Sequence, residues 1–242
     1  MASHNFILQG KGGVGKSFVA SALAQRIRQQ GTVPVCFDTD PVNQTFFRYE
    51  ALEVRLVELL EGDEINIRNF DTFIETLLEF GPDDQTVIDN GAASFLPLCT
   101  YMVDNEVVDI LQDSGHEVRI HCVVTGSAGF QDTVAGLAAL VEHFPAAKVF
   151  CWKNGFFGGV DVNGTPIERT KYFRENGDNI AGIVSIPHVR RDTYGHDLDD
   201  LLRASKTFDQ GFRSKRFGVM ARQRLKTYWG RLSDAMAEGG VA

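Results

Sequence analysis

Cysteine is scarce and unpaired in this sequence: Cys36, Cys99, Cys122 and Cys151 stand far apart, mostly in apolar runs, with no C-x-x-C among them. That argues against a thiolate metal site or a dithiol redox centre and leaves buried free thiols as the expectation. The six histidines show no ligand spacing such as H-x-x-x-H, so none is assigned chemistry. No apolar stretch is long enough to cross a bilayer. The start, Met-Ala-Ser-His-Asn, lacks the basic and then apolar pattern of a secretory leader, so a cytoplasmic protein is expected. Repeats, low-complexity tracts and linkers are missing as well. With 242 residues, 43% hydrophobic and 23% charged, the expectation is a single domain over 1–242 with a well-buried core.

Positive charge is short everywhere except near the end. Residues 203–231 carry nine Lys or Arg against one acid, whereas 1–202 carry fifteen basic and twenty-nine acidic residues, in a chain of net charge -8. A basic tail on an acidic body suits an anionic partner, nucleic acid or lipid, or simply the solvated face of a helix. In the same region Phe217, Ala221, Leu225, Tyr228, Leu232 and Met236 recur at three- and four-residue spacings, predicting an amphipathic helix around 215–238. Its stripe could dock on the body of the fold or face a membrane or DNA.

Elsewhere strands and helices alternate. "NFILQ" (5–9) reads as a buried strand, "SFVASALAQRIRQQG" as a helix ended by Gly31, and "VPVCFD" as a second strand. Further strands are expected near 86–91, 116–126, 147–155 and 181–187, with helices around 68–80, 97–113, 129–143 and 165–176. This alternation predicts an α/β fold: a doubly wound, mostly parallel sheet with helices on both faces and ligands at the carboxyl ends of the strands.

The first strand-to-helix junction carries the chemistry. "GKGGVGKS", Gly10 to Ser17, meets G-x-x-x-x-G-K-[ST] through Gly10, Gly15, Lys16 and Ser17. The loop of Gly12, Gly13, Val14 and Gly15 can turn backbone N–H groups toward phosphate oxygens, aided by the helix dipole. Lys16 would reach the β- and γ-phosphates and the Ser17 hydroxyl would ligate Mg2+, so ATP and Mg2+ are the cofactors considered. In "TVIDNG", Asp89 follows an apolar run and would hold Mg2+ through a water, while Gly91 would let backbone approach the γ-phosphate. Asp38 and Asp40 follow the second strand, expected next door to the loop strand in the sheet, and share a face if the strand alternates; Asp40 before Pro41 also suits a simple turn. Lys153-Asn154-Gly155 is not the Asn-Lys-x-Asp of a guanine reader, and Asn154 before Gly155 is also a turn signal. Phe46, Phe47, Phe95, Phe156 and Phe157 lie near the same face, for packing or for a partner surface.

"KGGVGKS", Lys11 to Ser17, resembles the deviant Walker A loop of the ParA/MinD class of P-loop ATPases. That resemblance implies that Lys11 reaches the partner's phosphates in a nucleotide-sandwich homodimer formed on ATP binding. It also implies that Asp40 orients the attacking water and that Asp38 lies in the outer shell of the metal. The class often continues Asp-Pro-Gln-Gly-Asn where this chain has Asp40-Pro41-Val42-Asn43. "CWKN" and "SIPHVRRD" resemble the segments that bind adenine in this class, which implies base-contacting roles for Asn154 and Pro187. Over most of the chain, "DTDPVNQTF", "LLEGDEINIRNFD" (59–71), "VIDNGAASFLPL" (87–98), "VVTG", "RRDTYGHD" and "RQRLK" are similar to the TraL family of conjugal-transfer proteins. The resemblance implies a slow ATPase switch, about 10^-4 to 10^-2 per second unstimulated, acting in plasmid transfer or maintenance with a conjugation-machinery or plasmid nucleoprotein partner. The alternatives are a nucleotide-gated tether, holding DNA or the inner membrane through the basic tail, and a metabolic ligase or kinase that shares the loop.

Overall fold

A computed structural model describes residues 1–61, 64–162, 165–170, 173, 179–189 and 191–241. Its main sheet is built from β1 (Ala2–Ile7), β2 (Val35–Asp38), β3 (Arg55–Leu56), β4 (Gln85–Asp89), β5 (His116–Thr125), β6 (Lys148–Asn154) and β7 (Ile180–Ile186). They lie in the order β7-β6-β5-β1-β4-β2-β3, every pair parallel. Two short antiparallel ribbons, Leu60–Glu61 with Glu64–Ile65 and Asp161–Val162 with Thr165–Pro166, decorate it.

The helices are α1 (Lys16–Gln29), α2 (Arg68–Leu78), α3 (Ala92–Asp104), α4 (Val107–Asp113), α5 (Phe130–His143), α6 (His196–Arg203), α7 (Phe208–Arg213) and α8 (Val219–Glu238). Alternate residues of each strand feed opposite cores. Ile7, Val123 and Trp152 pack with Leu23 of α1 and Leu232 of α8 on one face. Phe6, Ile120 and Cys151 pack with Leu77 of α2 and Leu137 of α5 on the other. The doubly wound α/β architecture is therefore as the alternation predicts, with helices covering both faces.

Several boundaries differ, for physical reasons. The first strand runs 2–7 rather than 5–9, because it extends to pair Ala2 with His116, while Gln9 turns away to bond three other elements. The second strand is not next door to the loop strand: β4 lies between β1 and β2, so Asp89 stands opposite both Ile7 and Asp38. The apolar run expected as one helix over 97–113 starts directly after Gly91 and breaks at Asn105–Glu106, where Glu106 takes φ 50°. Of the helix expected at 165–176, Ile167–Arg169 form a single 3-10 turn and most of the remainder lies outside the described residues. Gly62, Asp63 and Arg190, within the TraL-like strings, also lie outside them.

The C-terminal helix docks. Leu225, Tyr228, Trp229, Leu232 and Met236 are all buried, each contributing roughly 1.5–3 kcal/mol as buried apolar surface. Trp229 is 5% exposed and packs tilted against Phe208, ring centroids 4.8 Å apart, which removes it from external contact in this state. No helix among the described residues is long and apolar enough to cross a membrane.

Candidate functional site

The carboxyl edge of the sheet gathers the chemistry. After β1 the chain turns through Gly13 at φ 74° and Gly15 at φ 102°, a left-handed path that L side chains resist, and enters α1 at Lys16. The Lys16 side chain is buried and donates from Nζ to the Lys11 carbonyl at 3.1 Å. Burial holds its pKa below the ordinary lysine value, against the upward pull of the Asp89 and Asp40 carboxylates. Asn154, at the end of β6, clasps the loop from the other side: its Nδ2 donates to the Val14 carbonyl at 2.9 Å, and its Oδ1 accepts from Phe156 N at 3.1 Å. The amide expected to read a base is thus also a strut for the loop.

Asp89 ends β4 beneath this loop. Burial is the first cause that raises its carboxyl to about 8; Asp38 and Asp40 add to the rise, while a hydrogen bond from Ser17 and the charge of Lys16 oppose it. Its Oδ1 has no hydrogen-bond partner among the described residues. A buried carboxylate oxygen left in that state is costly, and with the Ser17 hydroxyl beside it the pair fits a hard divalent cation whose remaining ligands are phosphate and water oxygens. No three His, Cys, Asp or Glu side chains among the described residues converge on a metal position by themselves.

The two earlier aspartates are organised by backbone. Asp38 is fully buried; Oδ1 accepts from Asp40 N and Oδ2 from Phe47 N, both at 2.9 Å, so it staples the two ends of the 40–47 loop. Burial raises its pKa against those hydrogen bonds. Asp40 caps the turn beyond Pro41, with Oδ1 accepting from Val42 N at 2.9 Å and Asn43 N at 3.1 Å. Asp40 thus fills the turn role and also lines the cavity that holds Lys16 and Ser17. Gly91 has a reason beyond the one read from sequence: a Cβ there would stand 2.5 Å from Asp40 Cγ. Thr39, Asn90 and Ser94 lock the β2 and β4 ends together, Asn90 Oδ1 accepting from Thr39 Oγ1 at 2.9 Å and Ser94 Oγ at 2.8 Å.

Two cavities meet at Gly13, Gly15 and Phe18. One, of about 400 Å³, is polar and holds Gly12, Lys16, Ser17, Asp40 and Asn90. The other, of about 220 Å³, is walled by Phe156, Ile186, Pro187, Val189, Leu198 and Tyr228, with Asn154 between them. A charged end and a flat apolar end, joined by the loop, match the two halves of a nucleotide. Pro187 lines the apolar cavity, as do Leu198, Leu202 and Tyr228, whose place there had no local signal because α6 and α8 bring them in from far along the chain. Of the phenylalanines, Phe46 is fully buried and Phe95 partly so, while Phe47 and Phe156 are 44% and 43% exposed; the Phe157 side chain lies outside the described residues. Lys11 Nζ, at the loop tip, pairs with Asp132 Oδ2 of α5 at 2.8 Å, a residue that sequence spacing gave no reason to single out.

The family described as "CobQ/CobB/MinD/ParA nucleotide binding domain" matches residues 6–227. Two proteins from Escherichia coli, each named Protein TraL, are 45% and 43% identical to the chain over 227 residues, 93% of both partners. The chain belongs to the TraL family of CobQ/CobB/MinD/ParA-type nucleotide-binding domains. Among solved structures, the MinC:MinD cell division protein complex of Aquifex aeolicus superposes with a TM-score of 0.53 over 96% of each chain at 16% identity, a likeness of fold. In this member of the TraL family the glycine-rich loop, two buried carboxylates and an apolar cavity share one sheet edge.

Proposed function

We propose that the chain is an ATP-dependent switch: Mg-ATP binding promotes a homodimer, and slow hydrolysis to ADP and phosphate ends it. The observation that carries this reading is the joined pair of cavities, with Lys16 and Ser17 at the polar end and the orphaned Asp89 Oδ1 beneath them. Mg2+ held between Ser17 and Asp89 would neutralise charge on the phosphates. Asp40, poised at the cavity wall by Asp38 and Gly91, orients water. Lys11 is free to act in trans because its pair with Asp132 is exposed on both sides, 47% and 60%, and such pairs hold by only about 0–1 kcal/mol; a partner's phosphates would outcompete it. The TraL resemblance supplies the setting, plasmid conjugal transfer or maintenance in the bacterial cytoplasm, with a conjugation-machinery or plasmid nucleoprotein partner.

The test is the light-scattering mass of wild type, Lys11→Ala and Asp40→Ala with Mg-ATP, Mg-ADP and no nucleotide, beside ATP turnover. An ATP-dependent dimer, trapped in Asp40→Ala and weakened in Lys11→Ala, is the expected result. A wild-type mass indifferent to nucleotide would sink the dimerisation switch. A second reading, a nucleotide-gated tether at DNA or the inner membrane, draws on the exposed Val219 and Met220 beside the exposed Lys215 and Arg216. Because the apolar stripe of α8 is buried, that contact would be made by the start of the helix and the basic residues around it, and would weaken steeply with salt.

A further inference from the structure

One buried polar side chain at the site has no place in the mechanism above. Gln9, the residue just before the glycine-rich loop, is 1% exposed. Its Nε2 donates to the Val123 carbonyl of β5 and the Thr133 carbonyl of α5, both at 3.1 Å, and also lies 3.4 Å from Cys122 Sγ. Its Oε1 accepts from Lys11 N at 3.3 Å. The carboxamide has two N–H donors and one carbonyl acceptor, and the pocket presents two carbonyls and one N–H. Glutamate could not donate to the carbonyls, and an apolar side chain would remove all of these hydrogen bonds, leaving the Val123 carbonyl and the Lys11 N–H without this partner. Room for the amide comes from α5 itself: a Cβ on Gly136 would stand 2.7 Å from Gln9 Oε1.

The Lys11 peptide is where these bonds reach the chemistry. Its N–H is held by Gln9, and its carbonyl receives the Lys16 ammonium at 3.1 Å. We propose that Gln9 is a positioning residue for phosphate binding: by docking the Lys11 peptide on β5 and α5, it fixes the carbonyl that aims Lys16 Nζ into the polar cavity. The proposal rests on the nucleotide reading of that cavity and adds to it a residue outside the loop motif. Gln9 touches no substrate; it acts through Lys11 and Lys16.

Two variants of the full chain test it. Gln9→Met keeps length and bulk without the hydrogen bonds, and Gly136→Ala displaces the carboxamide without changing any residue of the loop. Calorimetric titration with ATP and with adenosine separates phosphate from base contacts. The expected result is ATP affinity about tenfold weaker in both variants, with adenosine affinity unchanged, because the apolar cavity is intact. In the nucleotide-free chain, amide hydrogen exchange across 10–17 should speed up in both. If the folded Gln9→Met chain binds ATP as wild type does, or loses adenosine by the same factor, the positioning role is overturned. Wild type that binds ATP no better than adenosine would defeat the nucleotide reading instead, and the exchange measurement still judges Gln9: unchanged protection across 10–17 overturns the proposal whatever the nucleotide does.

Discussion

Two sets of buried polar groups in the sheet, one of carboxylates and one of histidines, are handled in opposite ways. At the carboxyl edge, Asp38 and Asp89 are buried carboxylates whose pKa values are pushed up, and Asp89 Oδ1 has no partner among the described residues. Elsewhere in the sheet His4, in the first strand, and His121, level with Ile7, are buried and paired. His4 bonds Thr86 Oγ1 at 3.0 Å and His116 Nδ1 at 2.8 Å. His121 accepts from Trp152 Nε1 at 3.0 Å and meets Asn5 Oδ1 at 3.1 Å. Since an indole N–H only donates, His121 Nδ1 must accept, and its proton sits on Nε2 facing Asn5. Burial lowers His4 to about 4 and His121 to about 3. The histidine set is completed by the protein, whereas the carboxylate set keeps an oxygen without a partner among the described residues.

The largest effect should come from breaking the satisfied histidine set. His121→Ala strands the Trp152 N–H and the Asn5 carbonyl oxygen, at about 1–3 kcal/mol each plus the cavity. A fall of several degrees in Tm with ATP affinity unchanged is expected. A matching loss of nucleotide binding in the folded variant would show that the two sets are not separable.

Next in size is an opposition in pH. The histidines bind more protons unfolded than folded, so their contribution is present above 6.5 and is lost as pH falls toward 4 and 3. Asp89, raised from 3.8 to about 8, has the reverse sign: its contribution is present below 3.8 and is lost as pH rises through 8. Between 6.5 and 8 only Asp89 of these three titrates, and the chain should lose up to about 1.4 kcal/mol of stability per pH unit there. Urea unfolding of wild type and Asp89→Asn at a series of pH values reads this directly. A flat profile in Asp89→Asn against a falling one in wild type is expected; parallel profiles would remove Asp89 as the source.

The smallest effect concerns the exposed edge. Asp132→Ala removes a solvent-facing pair and should change stability by less than about 1 kcal/mol. By freeing Lys11, it should raise the dimer fraction at limiting Mg-ATP, measured by light scattering; a decrease would mean that Asp132 orders the loop rather than detaining its lysine.

Much of the site was legible locally. The glycine pattern, Lys16, Ser17 and Asp89 at a strand end are contiguous signals, because a phosphate cradle is built from one stretch of backbone. Gln9 and Asp132 were not legible, since their meaning lies in carbonyls and a lysine more than a hundred positions away. The histidines showed no pattern for the same reason: His4 and His116 meet only because β1 pairs with β5. The tail stripe announced an amphipathic helix but not its partner, as burial against a sheet and burial in a membrane ask for the same periodicity.

By itself, then, the sequence determined the alternation that makes a parallel α/β sheet, the nucleotide loop at its first junction and the acidic residues at two strand ends. Those properties follow from side-chain period and backbone freedom, which are local. Tertiary structure alone decided that β4 lies between β1 and β2, bringing Asp89 beside both loop and Asp38. It also decided that α8 closes the base-sized cavity with Tyr228 rather than leaving the body. Strand order and helix docking are settled by which distant surfaces exclude water together, and no window of neighbouring residues contains that information.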